Sequence, residues 1–251
     1  MGKFGIRERN SEGQMAVDFA KRMEMAVVNT FFQKRQEHRV TSKSGAKKMS
    51  NVHVLDAQYG MYVWPSAVVL AQYIWSRRAD VKDKTVLELG AGVSLPGVLA
   101  SRCGAKVILS DAADSPACLE NCRRSCEANG LCDVLTLPLT WGEISPRLLR
   151  LPRLHLILAS DVFYEPRDFE DILVTVAFLL RKNPNAQFWM TYQERSADWS
   201  IEALLHKWKL ACVDVDLATF SANKSELAGS SLPGSHGIQM MIVTHETDTD
   251  A

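Results

Sequence analysis

The sequence predicts an α/β protein in which helices cover both faces of a doubly wound, seven-stranded, mainly parallel sheet with an antiparallel last strand. Three observations lead there. From residue 51 onward, short β-branched runs alternate with amphipathic segments, the order in which parallel strands and crossover helices follow one another. One junction, TVLELGAGVSLPGVLA over residues 85–100, passes directly from apolar strand through a glycine turn into a helix. The last two runs are joined by a loop over 220–237 with no long helical pattern, which suggests an antiparallel hairpin at one sheet edge.

Taken in order, strands are predicted at 85–89, 106–110, 134–139, 154–159, 186–193, 211–216 and 238–245, each a short run of apolar residues bounded by polar or turn residues. Helices are predicted at 66–76, 95–103, 115–129, 167–181 and 197–208, with Ser115 and Ser196 as starting caps. The chain of 251 residues, 47% of them apolar, can close one sizeable core and is short for two full domains. Residues 51–251 are therefore expected to form one domain, and residues 1–50 an extension. Within that extension 1–13 are polar and expected to be disordered, 15–32 carry an imperfect helical pattern running into a strand, and 41–50 (TSKSGAKKMS) read as an exposed loop.

Lys plus Arg equals Asp plus Glu at 29 each, so no global field draws the chain to nucleic acid or to an anionic membrane. No apolar run approaches the roughly 20 residues of a membrane helix, and the polar start is unlike a secretory signal, so a soluble intracellular protein is expected. The six cysteines then read as reduced thiols. Cys118, Cys122 and Cys126 share one helix face but climb about 6 Å per step, too far for one zinc with sulfur ligands near roughly 2.3 Å. Packing of small side chains against the sheet is the better reading, and no metal is expected.

The glycine turn is a ligand site by position, since open α/β sheets bind ligands at the carboxyl ends of their strands. Gly90 and Gly92 let a ligand approach the backbone, and the following helix offers unpaired N–H groups. The third glycine of a dinucleotide fingerprint falls at residue 95, which is Leu95, so a dehydrogenase reading fails there. Glu88 is a charge in an apolar strand and needs a cationic or hydrogen-bonding partner, which the methionine end of a sulfonium cofactor would supply. Asp111 ends the second strand, where a carboxylate can accept both hydroxyls of a ribose.

ELGAGVS resembles the first motif, E-x-G-x-G-x-G, of the seven-β-strand methyltransferases, a Rossmann-like class, with Ser94 in place of the last glycine and Gly97 available for close packing. GMYVWPSAVVLAQYI (60–74), ELGAGVSLPG, LTWG (139–142) and SDVFYEP (160–166) recur in this order in the methyltransferase-like protein lysine methyltransferase group, over roughly residues 50–245. That resemblance implies S-adenosyl-L-methionine as cofactor and a protein nitrogen as acceptor. Carried over residue by residue, it implies that Trp64 and the turn Gly90, Ala91, Gly92 touch the methionine end, that Asp111 holds the ribose, and that Trp141 and Ala159 flank the adenine. A flat indole suits a purine at small conformational cost.

Asp161, Tyr164 and Glu165 follow strand four beside that seat and resemble the group's D-x-x-Y signature. Carboxylates there attract and orient a cationic acceptor, and a tyrosine adds a hydrogen bond or a ring face. Asp168 and Glu165 can equally serve the following helix start. A guanidinium stays charged and is best held by paired acids, for which Asp161 with Glu165 or Glu194 are candidates. Within the group, the resemblance implies arginine of histone H3 as acceptor, with a nuclear and cytoplasmic location. The wider group implies lysine of non-histone proteins. Two other readings stand beside these: an idle cofactor-binding module in transcription or chaperone complexes, which would have no need of Asp161 and Tyr164, and a nucleic-acid methyltransferase, for which DVFY lacks the D/N-P-P-Y motif of amino-base methylation.

Overall fold

The computed structural model describes residues 60, 63–193, 201–223, 226–227, 230–231 and 237–246. The expected extension, its helix and loop, the boundary near residue 50, and Glu194 and Ser196 lie outside the described residues. The strands are β1 Thr85–Leu89, β2 Lys106–Asp111, β3 Leu135–Pro138, β4 Leu156–Ser160, β5 Gln187–Gln193, β6 Leu210–Asp214 and β7 Ile238–His245. The helices are α1 Pro65–Ser76, α2 Arg78–Val81, α3 Leu95–Arg102, α4 Pro116–Ala128, α5 Pro146–Leu149, α6 Phe169–Lys182 and α7 Glu202–Lys207.

The seven strands form one sheet in the order β3-β2-β1-β4-β5-β7-β6. Ladders among β1 to β5 are parallel, and β7 runs antiparallel to both neighbours. The chain travels outward from β1 through β2 to β3 and then returns to the other side of β1. The crevice between β1 and β4 is therefore the switch point of the sheet.

Alternation along the strands sorts the core into two layers. Val86, Leu109, Leu156 and Leu158 pack with α1, α3 and α4, whereas Leu87, Leu89, Ile157 and Ala159 pack with α6. Glu88 shares the parity of Val86, so its carboxyl is driven beneath α3. Helix α1 is buried almost all round, from Pro65 through Ala71 and again at Tyr73 and Ile74, as expected of a helix wedged between other elements.

Strand ends differ from expectation by one or two residues, the usual fraying of ladder ends. The expected hairpin forms, but its second strand is not the edge. The more apolar β7 takes the buried place between β5 and β6, leaving β6, exposed at Ala211 through Asp214, outermost. The loop between them also holds a 3₁₀ turn, Leu217–Phe220, and a two-residue ladder of Glu226–Leu227 with Ser230–Ser231.

Capping expectations need correcting. Ser115 does precede α4, but its hydroxyl donates to Cys118 Sγ at 3.1 Å and makes no cap bond. The helix expected from residue 167 opens as a 3₁₀ turn, Pro166–Asp168, because Pro166 has no N–H and fixes the entry angle. Asp168 does not cap α6; it lies 3.5 Å from Arg167. A cap absent from the expectations is Ser145, whose hydroxyl accepts from Leu148 N at 3.3 Å. Cys118, Cys122 and Cys126 are buried along α4, and burial pushes their pKa up, so they stay thiols.

Candidate cofactor and acceptor site

Three carboxyl-end loops meet at Gly90. Its backbone is left-handed (φ +60°), and a Cβ there would sit 3.0 Å from Val162 Cγ1 and 3.1 Å from Trp141 Cζ2. A side chain at residue 90 would thus both strain the turn and push apart the loops that follow β3 and β4. On the other side, Gly60 lies against Gly92, and its carbonyl accepts from Asn121 Nδ2 at 3.3 Å. Ala91 N donates to Ser110 O at 2.9 Å, which ties the turn to β2.

Asp111 closes the arrangement. Its Oδ2 accepts from Gly92 N at 2.7 Å and its Oδ1 from Ala112 N at 2.8 Å. Burial raises its pKa, the two backbone bonds oppose that rise, and Asp114 adds to it. Each carboxylate oxygen has capacity for a second donor, so the donor set fits a vicinal diol such as the ribose of S-adenosylmethionine.

Glu88 is 1% exposed, and its Oε2 accepts from Gly97 N at 3.0 Å. It reaches the first turn of α3 from below. Burial pushes its pKa up to about 8, with the Gly97 bond opposing and Asp111 adding to the rise. Gly97 is the close-packing glycine, because a Cβ there would come within 2.4 Å of Glu88 Oε2 and 2.3 Å of Leu109 Cδ2.

Of the residues expected around an adenine, Trp141 stands at the turn, half-buried, with its ring against Gly90. The next residue, Gly142, donates to Thr175 Oγ1 at 2.8 Å, and Thr175 in turn donates to Asp171 O at 2.9 Å, so α6 holds the Trp141 loop. Ala159 is the last residue but one of β4. It has no exposed surface and is packed in the α6 layer, with Leu89 and Met190 as ladder partners. Trp64 precedes α1 in extended backbone, half-buried, with its carbonyl accepting from Ala67 N.

Asp161 follows β4 in left-handed backbone (φ +57°) and is 6% exposed. Its N–H donates to Thr191 O at 2.7 Å, and its Oδ1 accepts from Gln193 N at 3.3 Å. Val162, the next residue, is the one that touches Gly90, so the acid and the glycine turn are contiguous. Tyr164 and Glu165 are half-buried on the same loop, with Glu165 at the start of the 3₁₀ turn.

Sequence reasoning missed Gly60, Val162 and Thr175. Val162 and Thr175 read as ordinary core residues, and the apposition of Gly60 with Gly92 joins positions with no local pattern. A groove of about 730 Å³ opens at the opposite end of β1 to β3, lined among others by Thr85, Lys106, Cys132 and Leu135, and it includes none of the expected site residues.

Comparison with known proteins accords with this geometry. A family model described as lysine methyltransferase matches residues 28–202. A Xenopus laevis protein named histone-arginine methyltransferase METTL23 is 65% identical over 191 residues, 76% of this chain and 82% of that one. The Homo sapiens protein of the same name is 57% identical over 189 residues, 75% of this chain and 100% of that one. Among solved structures, magnesium protoporphyrin IX methyltransferase from Synechocystis, with bound SAM, aligns over 80% of this chain and 87% of its own with TM-score 0.50 and 10% identity, a likeness of fold alone. The matched span takes in β1 to β5, the glycine turn, Asp111, Trp141 and the Asp161 loop, and the chain belongs to the lysine methyltransferase family of S-adenosylmethionine-dependent methyltransferases.

Proposed function

We propose that this methyltransferase modifies an arginine side chain of a histone, with histone H3 as the expected acceptor. The observation that carries an acidic acceptor site is Asp161, a non-glycine residue in left-handed backbone whose carboxyl group is buried next to the loop on the cofactor turn. Such backbone strain persists where the surroundings over-determine it, and it clusters at functional sites. When bound, S-adenosylmethionine supplies a methyl group already activated on a sulfonium, so the chain's own work is alignment.

In this reading Asp111 and the Gly90 to Gly92 turn hold the nucleoside end, and Trp141 covers the adenine. Trp64 closes the methionine end. Asp161 draws in the cationic acceptor and fixes its orientation, Glu165 adds a second acid, and Tyr164 offers a hydroxyl or ring face. An arginine acceptor keeps its charge at neutral pH and favours paired acids over one. The names of the relatives at 65% and 57% identity support arginine. The description of the family supports lysine as the second reading, on a non-histone protein. A histone acceptor calls for a nuclear as well as a cytoplasmic location, which imaging of the tagged protein would check.

The deciding experiment incubates the purified chain with labelled cofactor and recombinant histones, then maps the label by mass spectrometry. Label on histone arginine is the expected result. Label on lysine alone would replace this reading with the second one, and no label on any histone, with labelling of another protein in a cell extract, would remove histones as acceptors.

A further inference from the structure

Cations and acids balance over the whole chain at 29 each, but the fold separates the two signs. The loops at the carboxyl ends of β2 and β4 carry Asp111, Asp114, Asp161, Glu165 and Asp168, with Arg167 as their one cation. The amino ends of β1, β2, β4 and β5 carry Lys84, Lys106, Arg150, Arg153, Arg181 and Lys182, all exposed. None of these six makes an ion pair among the described residues. The acids at the same edge are Asp80, which pairs with Arg77 at 3.6 Å, and Asp83, Glu127 and Asp133. Arg181 and Lys182 stand in the last turn of α6, where a helix end favours cations. Lys106 opens β2 and Arg153 lies in the loop before β4, so a helix end explains neither.

Contacts join the six into one band. Lys106 N donates to Lys84 O at 2.8 Å, and Thr85 N donates to His155 Nδ1 at 3.0 Å, which sets the approach to β4 beside the start of β1. Lys182 Nζ donates to Leu149 O at 2.6 Å and to Leu151 O at 3.1 Å, so the end of α6 lies on the segment that carries Arg150 and Arg153. Pro152, between those two arginines, lines the groove of about 730 Å³ together with Thr85 and Lys106. No Phe, Tyr or Trp lines that groove.

We propose that this amino-edge band is a docking surface for the phosphate backbone of duplex DNA, engaged without regard to base sequence. Clustered cations without ion pairs repel one another, and a polyanion relieves that repulsion while releasing its own counterions. A single strand would call for rings on which its bases stack, and a protein partner for aromatic anchors, and the groove offers neither. The cations come from strand starts, a loop and a helix end rather than from one helix, which suits contact with backbone and not readout of base edges. The choice of DNA among polyanions rests on the histone reading above, since histones in chromatin are wrapped by duplex DNA. The carboxyl edge then takes the cationic acceptor and the amino edge the DNA beside it.

The test measures fluorescence anisotropy of a labelled short duplex of arbitrary sequence with the full chain over a range of salt concentrations. The logarithm of affinity is expected to fall against that of salt with a slope of about −4 to −5, as for four to six phosphate contacts. The double variant Arg150→Gln/Arg153→Gln, shown to be folded by its melting curve, is expected to bind about tenfold more weakly at low salt and to flatten the slope by about 2. Its methyl transfer to a free histone H3 peptide should equal that of the native chain, while transfer to reconstituted nucleosomes should fall severalfold. Absence of duplex binding at low salt, or a slope unchanged by the double substitution, would overturn the proposal. So would tighter binding of single-stranded DNA, or of a poly-glutamate chain of equal charge, the latter in favour of an acidic protein. The two readings fail separately: a chain that labels histone but ignores DNA removes only the docking surface, and one that binds duplex through this band yet labels no histone keeps the surface and removes only the histone acceptor.

Discussion

Asp111 and Gly92 are joined by a 2.7 Å hydrogen bond from the glycine N–H to Oδ2, so the residue that ends β2 also holds the turn that follows β1. One carboxylate thereby fixes the shape of the turn and, in the function proposed, also receives the ribose. The two jobs cannot be separated by mutation at residue 111 alone, and this shapes what its variants should do.

Asp111→Ala removes the bonds to Gly92 and Ala112 together with the acceptors for two hydroxyls. Cofactor affinity should fall by roughly a hundredfold or more, since buried donors are left unpaired as well as the ligand. Calorimetric titration with S-adenosylmethionine checks this, and an affinity equal to that of the native chain would remove the ribose assignment.

Thr175→Val keeps the shape of a 1% exposed side chain but deletes the acceptor for Gly142 N. An unpaired N–H should cost about 1–3 kcal/mol in stability. The Trp141 loop should loosen with it. Urea unfolding and the cofactor-induced change in tryptophan fluorescence are the readouts, and a variant with native values in both would show that α6 does not set the position of Trp141.

Asp161→Asn is the informative change at the acceptor loop, because asparagine tolerates left-handed backbone better than alanine does. It retains an oxygen for Gln193 N but loses the charge. Cofactor binding should stay within a few-fold while methyl transfer to protein drops by about a hundredfold. Turnover equal to the native rate would place the acceptor pocket elsewhere.

Glu88 also predicts a pH dependence of stability. A free side chain of this type titrates near 4.5 and the folded one at about 8. Between those values the folded chain holds a proton that the unfolded chain has lost, so the contribution is complete below about pH 4.5 and is lost as pH rises through about 8. Asp111, raised by burial, acts with the same sign. Unfolding midpoints should therefore fall across this window in the native chain and fall less in Glu88→Gln. Parallel slopes in the two proteins would count against a neutral Glu88.

How much of this could be read from the chain depends on the range of the forces involved. Alternation of apolar runs with amphipathic segments is a local pattern, and it located all seven strands of the sheet to within two residues at their ends. The glycine turn and Asp111 were legible for the same reason: a strand end followed by a sharp turn leaves a chemical signature in consecutive residues. No cap bond forms at Ser115, whose hydroxyl instead donates to Cys118 Sγ, a contact that residue type alone does not rank.

The sequence by itself determined the fold class, the strand that carries the turn, the acids at the carboxyl ends of β2 and β4, and the family to which these motifs belong. Tertiary structure alone decided that β7 slips between β5 and β6, that Gly90 is touched at once by Trp141 and Val162, that Ala159 is sealed in the α6 layer, and that Glu88 turns away beneath α3 to Gly97. The reason is physical. Periodicity reports which face of an element is apolar, but which groups then share a buried volume is set by how faces from distant segments close over one another, and there a few tenths of an ångström separate contact from exclusion.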